Sequence, residues 1–231
     1  MEFNKGLRDG IPIALGYFSV SIAFGLLAAD SGCTALETLL ISFTNLTSAG
    51  QFAGITVIAS AGTYMEMALT QFVINSRYAL MGISLSQKVE DKFRGVWRLI
   101  LGFAITDEIF AVAIGRDEEI TREYFAGLAS LPIFGWSLGT LCGSVLGSIL
   151  PQIITGALGI ALYGMFIAVV APKAKESFRV LAVVLIAVAV SSIIYYTPVL
   201  SDISSGFAII ISACAAAFIG AVFFPVKELP V

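Results

Sequence analysis

Two adjacent carboxylates, Asp107 and Glu108, stand in the middle of the short apolar stretch LILGFAITDEIFAVAIG. Side by side in apolar surroundings they repel, so at least one must be paired or protonated near neutral pH. A proton-exchanging group needs that behaviour, and so does a group that holds a substrate ammonium. Thr106 offers a structural account of the same residues: it can cap a half-helix whose first turn favours acidic side chains. Upstream, MEMALTQFVINSRYALMG carries Arg77 deep in another apolar run. At helical spacing Gln71, Asn75 and Tyr78 share one face, while Glu66, Thr70 and Arg77 share another. Glu66 and Arg77 then lie about 16 Å apart along the axis, too far for a direct ion pair. Arg77 therefore either serves a site or snorkels to the nearer interface.

A third region, LLISFTNLTSAGQFAGITVIAS, holds Asn45, Gln51 and several hydroxyls around Gly50 and Gly54, without a charge. Such a run can break a helix and expose backbone donors and acceptors to a cavity. Alternatively its small residues form a packing face. Asn45 and Gln51 are bulkier than close packing requires, which favours the cavity. Farther on, Gly135, Gly139, Gly143 and Gly147 recur at every fourth position. They form one ridge against which another helix can pack closely, within the chain or from a partner subunit.

The medium around these residues follows from composition. Of 231 residues 58% are hydrophobic and 13% charged, against roughly 45–50% and 25% in soluble domains. So few charges cannot build an aqueous surface. They gather in short stretches, including 5–8, 88–98, 116–123 and 173–179, between apolar runs long enough to cross a bilayer that needs about 20 helical residues. Residues 11–29 exceed a signal-peptide core of about 7–15 residues and read as an uncleaved first transmembrane helix. The sequence contains no histidine, which removes Ser-His-Asp triads, His-zinc sites and His proton relays. Cys33, Cys142 and Cys214 are isolated and read as packing residues. Nothing indicates an enzyme, a metal, a cofactor or a nucleic-acid partner.

The fold class is thus all-α: a polytopic helical membrane protein, one transmembrane domain over 1–231, with six to eight hydrophobic segments. Eight can be read, at 11–29, 36–60, 64–86, 98–115, 124–148, 153–171, 180–197 and 203–224. Lysine and arginine concentrate in cytoplasmic loops. If every segment spans with the N-terminus inside, Lys88, Lys92, Arg94 and Arg98 are stranded outside. If the second and sixth segments are instead re-entrant, six segments span and only Arg116 and Arg122 lie outside. Lys92 and Lys175 then both face the cytoplasm.

A faint internal similarity supports that reading. Pro12-Ile13 with Gly16-Tyr17 matches Pro132-Ile133 with Gly135-Trp136, and AGQFAGITVIA at 49–59 matches ALYGMFIAVVA at 161–171. Half-repeats 1–118 and 119–231 would then be inverted, with two re-entrant or broken helices meeting at the midplane, as in many secondary transporters.

The stretches GIPIALGYFSVSIAFGLLA, SAGQFAG, NSRYALMGISL and TDEIFA, in this order over nearly the whole chain, resemble the AzlC family of branched-chain amino-acid permeases. The resemblance implies the large subunit of a two-component exporter in a bacterial plasma membrane, with a small AzlD-like membrane subunit as partner. It carries over Gln51, Asn75, Arg77, Asp107 and Glu108. A zwitterionic substrate needs a cation or helix N-terminus for its carboxylate, an anion for its ammonium and an apolar pocket. Arg77 and the amides freed near Gly50 suit the first need, Asp107 or Glu108 the second. Proton antiport through Asp107 or Glu108 is the economical coupling. The rival class is a non-transporting assembly or regulatory subunit, for which the glycine ridge would be the main site.

Overall fold

The computed structural model describes residues 1–149, 167, 170–172, 174–200 and 203–224. Among them nine α-helices are α1 (Glu2–Asp30), α2 (Ala35–Thr44), α3 (Ala49–Ala59), α4 (Tyr64–Ser86), α5 (Val96–Gly102), α6 (Asp107–Ile114), α7 (Arg122–Ile149), α8 (Phe178–Tyr196) and α9 (Ser205–Phe223). Four of these, α1, α7, α8 and α9, are long and apolar enough to cross a membrane. The chain divides into two units, Met1–Phe52 with Asn75–Leu162, and Ala53–Ile74 with Tyr163–Val231. Both boundaries between the first two pieces fall inside helices, α3 and α4.

The first unit is organised by α1 against α7. The four ridge glycines face α1: a Cβ on Gly135 would stand 2.5 Å from the Ala14 carbonyl oxygen. On Gly139 and Gly143 it would collide with the carbonyls of Phe18 and Ile22, and on Gly147 it would lie 2.9 Å from Ala29 Cβ. Reciprocally, Gly6, Gly10 and Gly25 of α1 meet the α7 backbone at Tyr124, Leu128 and Thr140. Glycine on both sides lets the two backbones approach along their whole length. At the middle of this seam Pro132 has no N–H for the Leu128 carbonyl, and that carbonyl faces Gly10.

Contacts on the two helices rise in number together, so α1 and α7 run parallel. This corrects the six-span scheme, in which they would be antiparallel. A repeat aligned on these two helices is a parallel one rather than an inverted one. The same contacts turn the ridge inward, onto the chain's own α1.

The second apolar segment is not one helix. Thr34 opens α2 with a capping box, its hydroxyl accepting from Glu37 N at 3.3 Å while Glu37 accepts from Thr34 N at 2.8 Å. Asn45 ends α2, and Ser48 adopts a left-handed φ of +46° before α3 begins. Gln51 Nε2 then donates to Ser42 Oγ at 2.8 Å, a pairing that a continuous helix would separate by about 13 Å. So α2 and α3 form a hairpin with residues 45–48 at its tip.

The fourth segment is broken as well. Helix α5 follows Gly95, its N-cap with φ +60°, and ends after seven residues; α6 restarts at Asp107. Both limbs belong to the same end of the unit. Val89 pairs with Ile120, flanked by Glu90 N to Ile120 O at 3.1 Å and Ile120 N to Lys88 O at 2.9 Å. Lys88 Nζ donates to the carbonyls of Ile114 and Arg116. The N-terminus sits there too, through Lys5 to Glu118 at 3.2 Å and Arg116 to Glu2 at 2.9 Å.

Every lysine and arginine of residues 1–122 except Arg77 therefore gathers at one end. Arg116 and Arg122 share that end with Lys88, correcting the expectation that they lie opposite. The broken segments of this unit are the second and the fourth. The proposed sixth, 153–171, lies almost wholly outside the described residues.

In the second unit, α8 and α9 pack together, Gly220 facing Val183 closely enough that a Cβ would come within 2.7 Å of its Cγ2. Glu66 is 2% exposed and caps α9, accepting from Ser204 Oγ at 2.5 Å and Gly206 N at 2.8 Å.

Candidate functional site

Helix α4 links the two breaks of the first unit. Arg77 Nη1 is 2.7 Å from Asp107 Oδ2, at the restart of the fourth segment. The next residue, Tyr78, reaches the other break, its hydroxyl donating to the Thr47 carbonyl at 3.4 Å. Arg77 also donates to Tyr78 Oη at 3.2 Å, and its guanidinium lies 5.0 Å from the Tyr78 ring centroid. One guanidinium thus spans from an ion pair to an aromatic hydroxyl, while its buried Nε has no partner among the described residues. The ion-paired side chains are 41% and 42% exposed, so the pair is only partly covered by the rest of the chain.

Asp107 and Glu108 divide their charge between partners. Thr106 caps α6, its hydroxyl accepting from Ile109 N at 3.4 Å. The same hydroxyl hydrogen-bonds Tyr17 Oη of α1 at 2.6 Å, and Tyr17 also donates to the Glu108 carboxylate. Tyr17 is held by an edge-on contact with Trp136 of α7, ring centroids 5.3 Å apart. Adjacent carboxylates project in different directions from a helix start. Here one meets a cation and the other a phenol, which relieves their repulsion. Acidic residues in this first turn are also favoured by the helix dipole.

Of the residues singled out from sequence, Arg77, Asp107 and Glu108 come together. Asn75 lies on α4 two residues before Arg77. Asn45 ends α2 at the break. Gln51 is 1% exposed and turns toward the seam, joining Ser42, which bonds Thr140 of α7 at 2.8 Å. Its Oε1 is buried without a partner among the described residues. Gly54 packs in the second unit, where a Cβ would stand 3.2 Å from Gln71 Nε2. Sequence reasoning passed over Tyr17, although a phenol among apolar neighbours in a membrane helix is itself a polar group needing a partner. It noted Glu66 only as too distant from Arg77; Glu66 instead ties α4 to α9.

A polytopic helical membrane protein with two broken segments, joined by an ion pair and a tyrosine, is the class this geometry defines. The AzlC protein family model matches residues 12–150, and the chain belongs to the AzlC family. Its relatives include the inner membrane protein YgaZ of Escherichia coli, 29% identical over 71% of this chain and 70% of that protein. An uncharacterized membrane protein of Archaeoglobus fulgidus is 29% identical over 75% and 76%. The branched-chain amino acid transport protein AzlC of Bacillus subtilis is 24% identical over 63% of this chain and 58% of its own length. No solved structure matches the chain.

Proposed function

We propose that this protein is a secondary transporter that exports branched-chain amino acids from the cytoplasm by proton antiport, together with a small AzlD-like membrane subunit. The observation that carries the reading is the part-exposed Arg77–Asp107 ion pair at the start of a half-helix. A free amino acid carries the same two charges as the pair. Its carboxylate can replace Asp107 on Arg77 while its ammonium takes the carboxylates of Asp107 and Glu108, so substrate exchanges for an internal salt bridge. A charge left unpaired at membrane depth costs at least about 2.5–3.5 kcal/mol, so the pair reforms once substrate leaves. Proton uptake by Asp107 or Glu108 weakens the hold on the ammonium and couples release to the gradient. The Bacillus subtilis relative, a branched-chain amino acid transport protein, supports the substrate class.

Orientation follows from the gathered basic residues. The end carrying the N-terminus, residues 88–98 and residues 116–122 is the cytoplasmic one.

The test is transport of labelled valine in membrane vesicles, with and without the small subunit. Asp107→Asn and Glu108→Gln should abolish valine movement and its response to a proton gradient while leaving the protein in the membrane. Full, pH-independent transport by both variants would refute the mechanism.

A further inference from the structure

One apolar recess in the first unit remains without a role. A cavity of about 240 Å³ lies between α4, α5 and α7, lined by Gly82, Leu85, Leu101, Ile105 and Phe125 among others, together with Arg98. Its volume exceeds the roughly 150 Å³ that accommodates a benzene ring. The walls are mainly aliphatic and aromatic, and Arg98 Nε donates to the carbonyl of Phe93, also in the lining, at 2.8 Å.

Two features connect this space to the ion pair. Ile105 belongs to the break in the fourth segment and directly precedes Thr106 and Asp107. Gly82 follows Arg77 by five residues on α4, about 7.5 Å along its axis. Ile105 thus belongs both to the cavity wall and to the break that positions Asp107. Gly82 keeps the cavity open: a Cβ there would meet only Ile105 Cδ1, at 3.9 Å, and a longer side chain would extend into the space.

We propose that this cavity is the side-chain subsite of the transported amino acid. It takes the branched aliphatic chain while Arg77 and Asp107 hold the carboxylate and ammonium. The inference rests on the amino-acid transport reading and adds to it the residues that set substrate size. Gly82 and Ile105 are the specificity-determining positions, one limiting the cavity from α4 and the other from the break.

The experiment measures kcat/KM for labelled valine and leucine, and competition by unlabelled phenylalanine, in vesicles holding the full chain and its small subunit. Gly82→Leu fills the cavity and should lower leucine kcat/KM relative to valine by about tenfold, the lower end of what one methylene is worth in an apolar pocket. Ile105→Ala enlarges it and should let phenylalanine compete at about tenfold lower concentration. Where Gly82→Leu fails to reach the membrane, Ile105→Ala decides alone. An unchanged valine-to-leucine ratio in Gly82→Leu, or unchanged phenylalanine competition in Ile105→Ala, overturns the subsite and leaves the transport reading standing. A wild-type protein that moves no amino acid overturns both.

Discussion

At the residue scale the first unit separates two kinds of polar contact. Arg77 with Asp107 is part-exposed, whereas Tyr17 with Thr106 and Glu108 is held against Trp136; on the proposed transport reading the first exchanges with substrate and the second positions Glu108. Hydrogen bonds to charged groups contribute about 1.5–3 kcal/mol, so Tyr17→Phe should slow valine transport about tenfold or more. The ring contact with Trp136 survives that change, and an unaltered rate would show that Glu108 does not depend on Tyr17. Glu118 lies in the loop at the basic end, between Lys5 and Arg116. A hydrogen bond from Arg116, then one from Lys5, holds its carboxyl below the usual carboxylate range. A lowered folded-state value contributes stability above the unfolded pKa of about 4.3, lost as pH falls through the lower folded-state value. The thermal midpoint of detergent-solubilised protein should therefore drop more steeply on acidification in the wild type than in Glu118→Gln. As the carboxylate is fully exposed, the difference should be small.

At the element scale the decisive contact is the parallel seam of α1 and α7. Its glycines are interchangeable with alanine in sequence but not in space. Gly143→Ala drives a methyl into the Ile22 carbonyl and should destabilise by about 1–3 kcal/mol. Gly16, in the same helix pair, has nothing within 4 Å of where its Cβ would stand. Gly16→Ala should therefore stabilise by up to about 1 kcal/mol through helix propensity alone. Comparing the two melting temperatures in detergent distinguishes a packed seam from a generally glycine-sensitive helix. The ridge is also the surface on which an assembly-subunit reading depended, and α1 covers it.

At the largest scale, within the first unit, two broken segments and one basic end replace the regular up-and-down arrangement that hydropathy alone suggests. In a cysteine-free background, Lys88→Cys and Glu118→Cys should both resist an impermeant thiol reagent in intact cells, and Ser31→Cys should react. Labelling of Glu118→Cys without Lys88→Cys would restore the six-span scheme and contradict the contacts of Lys88 with Ile114 and Arg116. The hairpin from the other end brings residues 45–48 to the same α4 surface that carries Arg77 and Tyr78. Half-helices are sustainable at this depth because their free ends line a polar site or are capped.

Composition alone determined that the chain is helical and lies in a bilayer, because too few charges exist to hydrate its surface. Local chemistry also made Arg77, Asp107 and Glu108 legible, since an ionisable group in apolar sequence demands an explanation, and Thr106 announced the restart of a half-helix. Counting loop charges separated 116–122 from 88–98, because the count cannot see that the two are ends of one hairpin. Which carboxylate meets Arg77, and that Tyr17 meets the other, depend on contacts between segments far apart in the chain. Only tertiary packing decided them: the glycine seam fixes α1 beside α7, and α4 brings its arginine to the break where Asp107 begins a new helix.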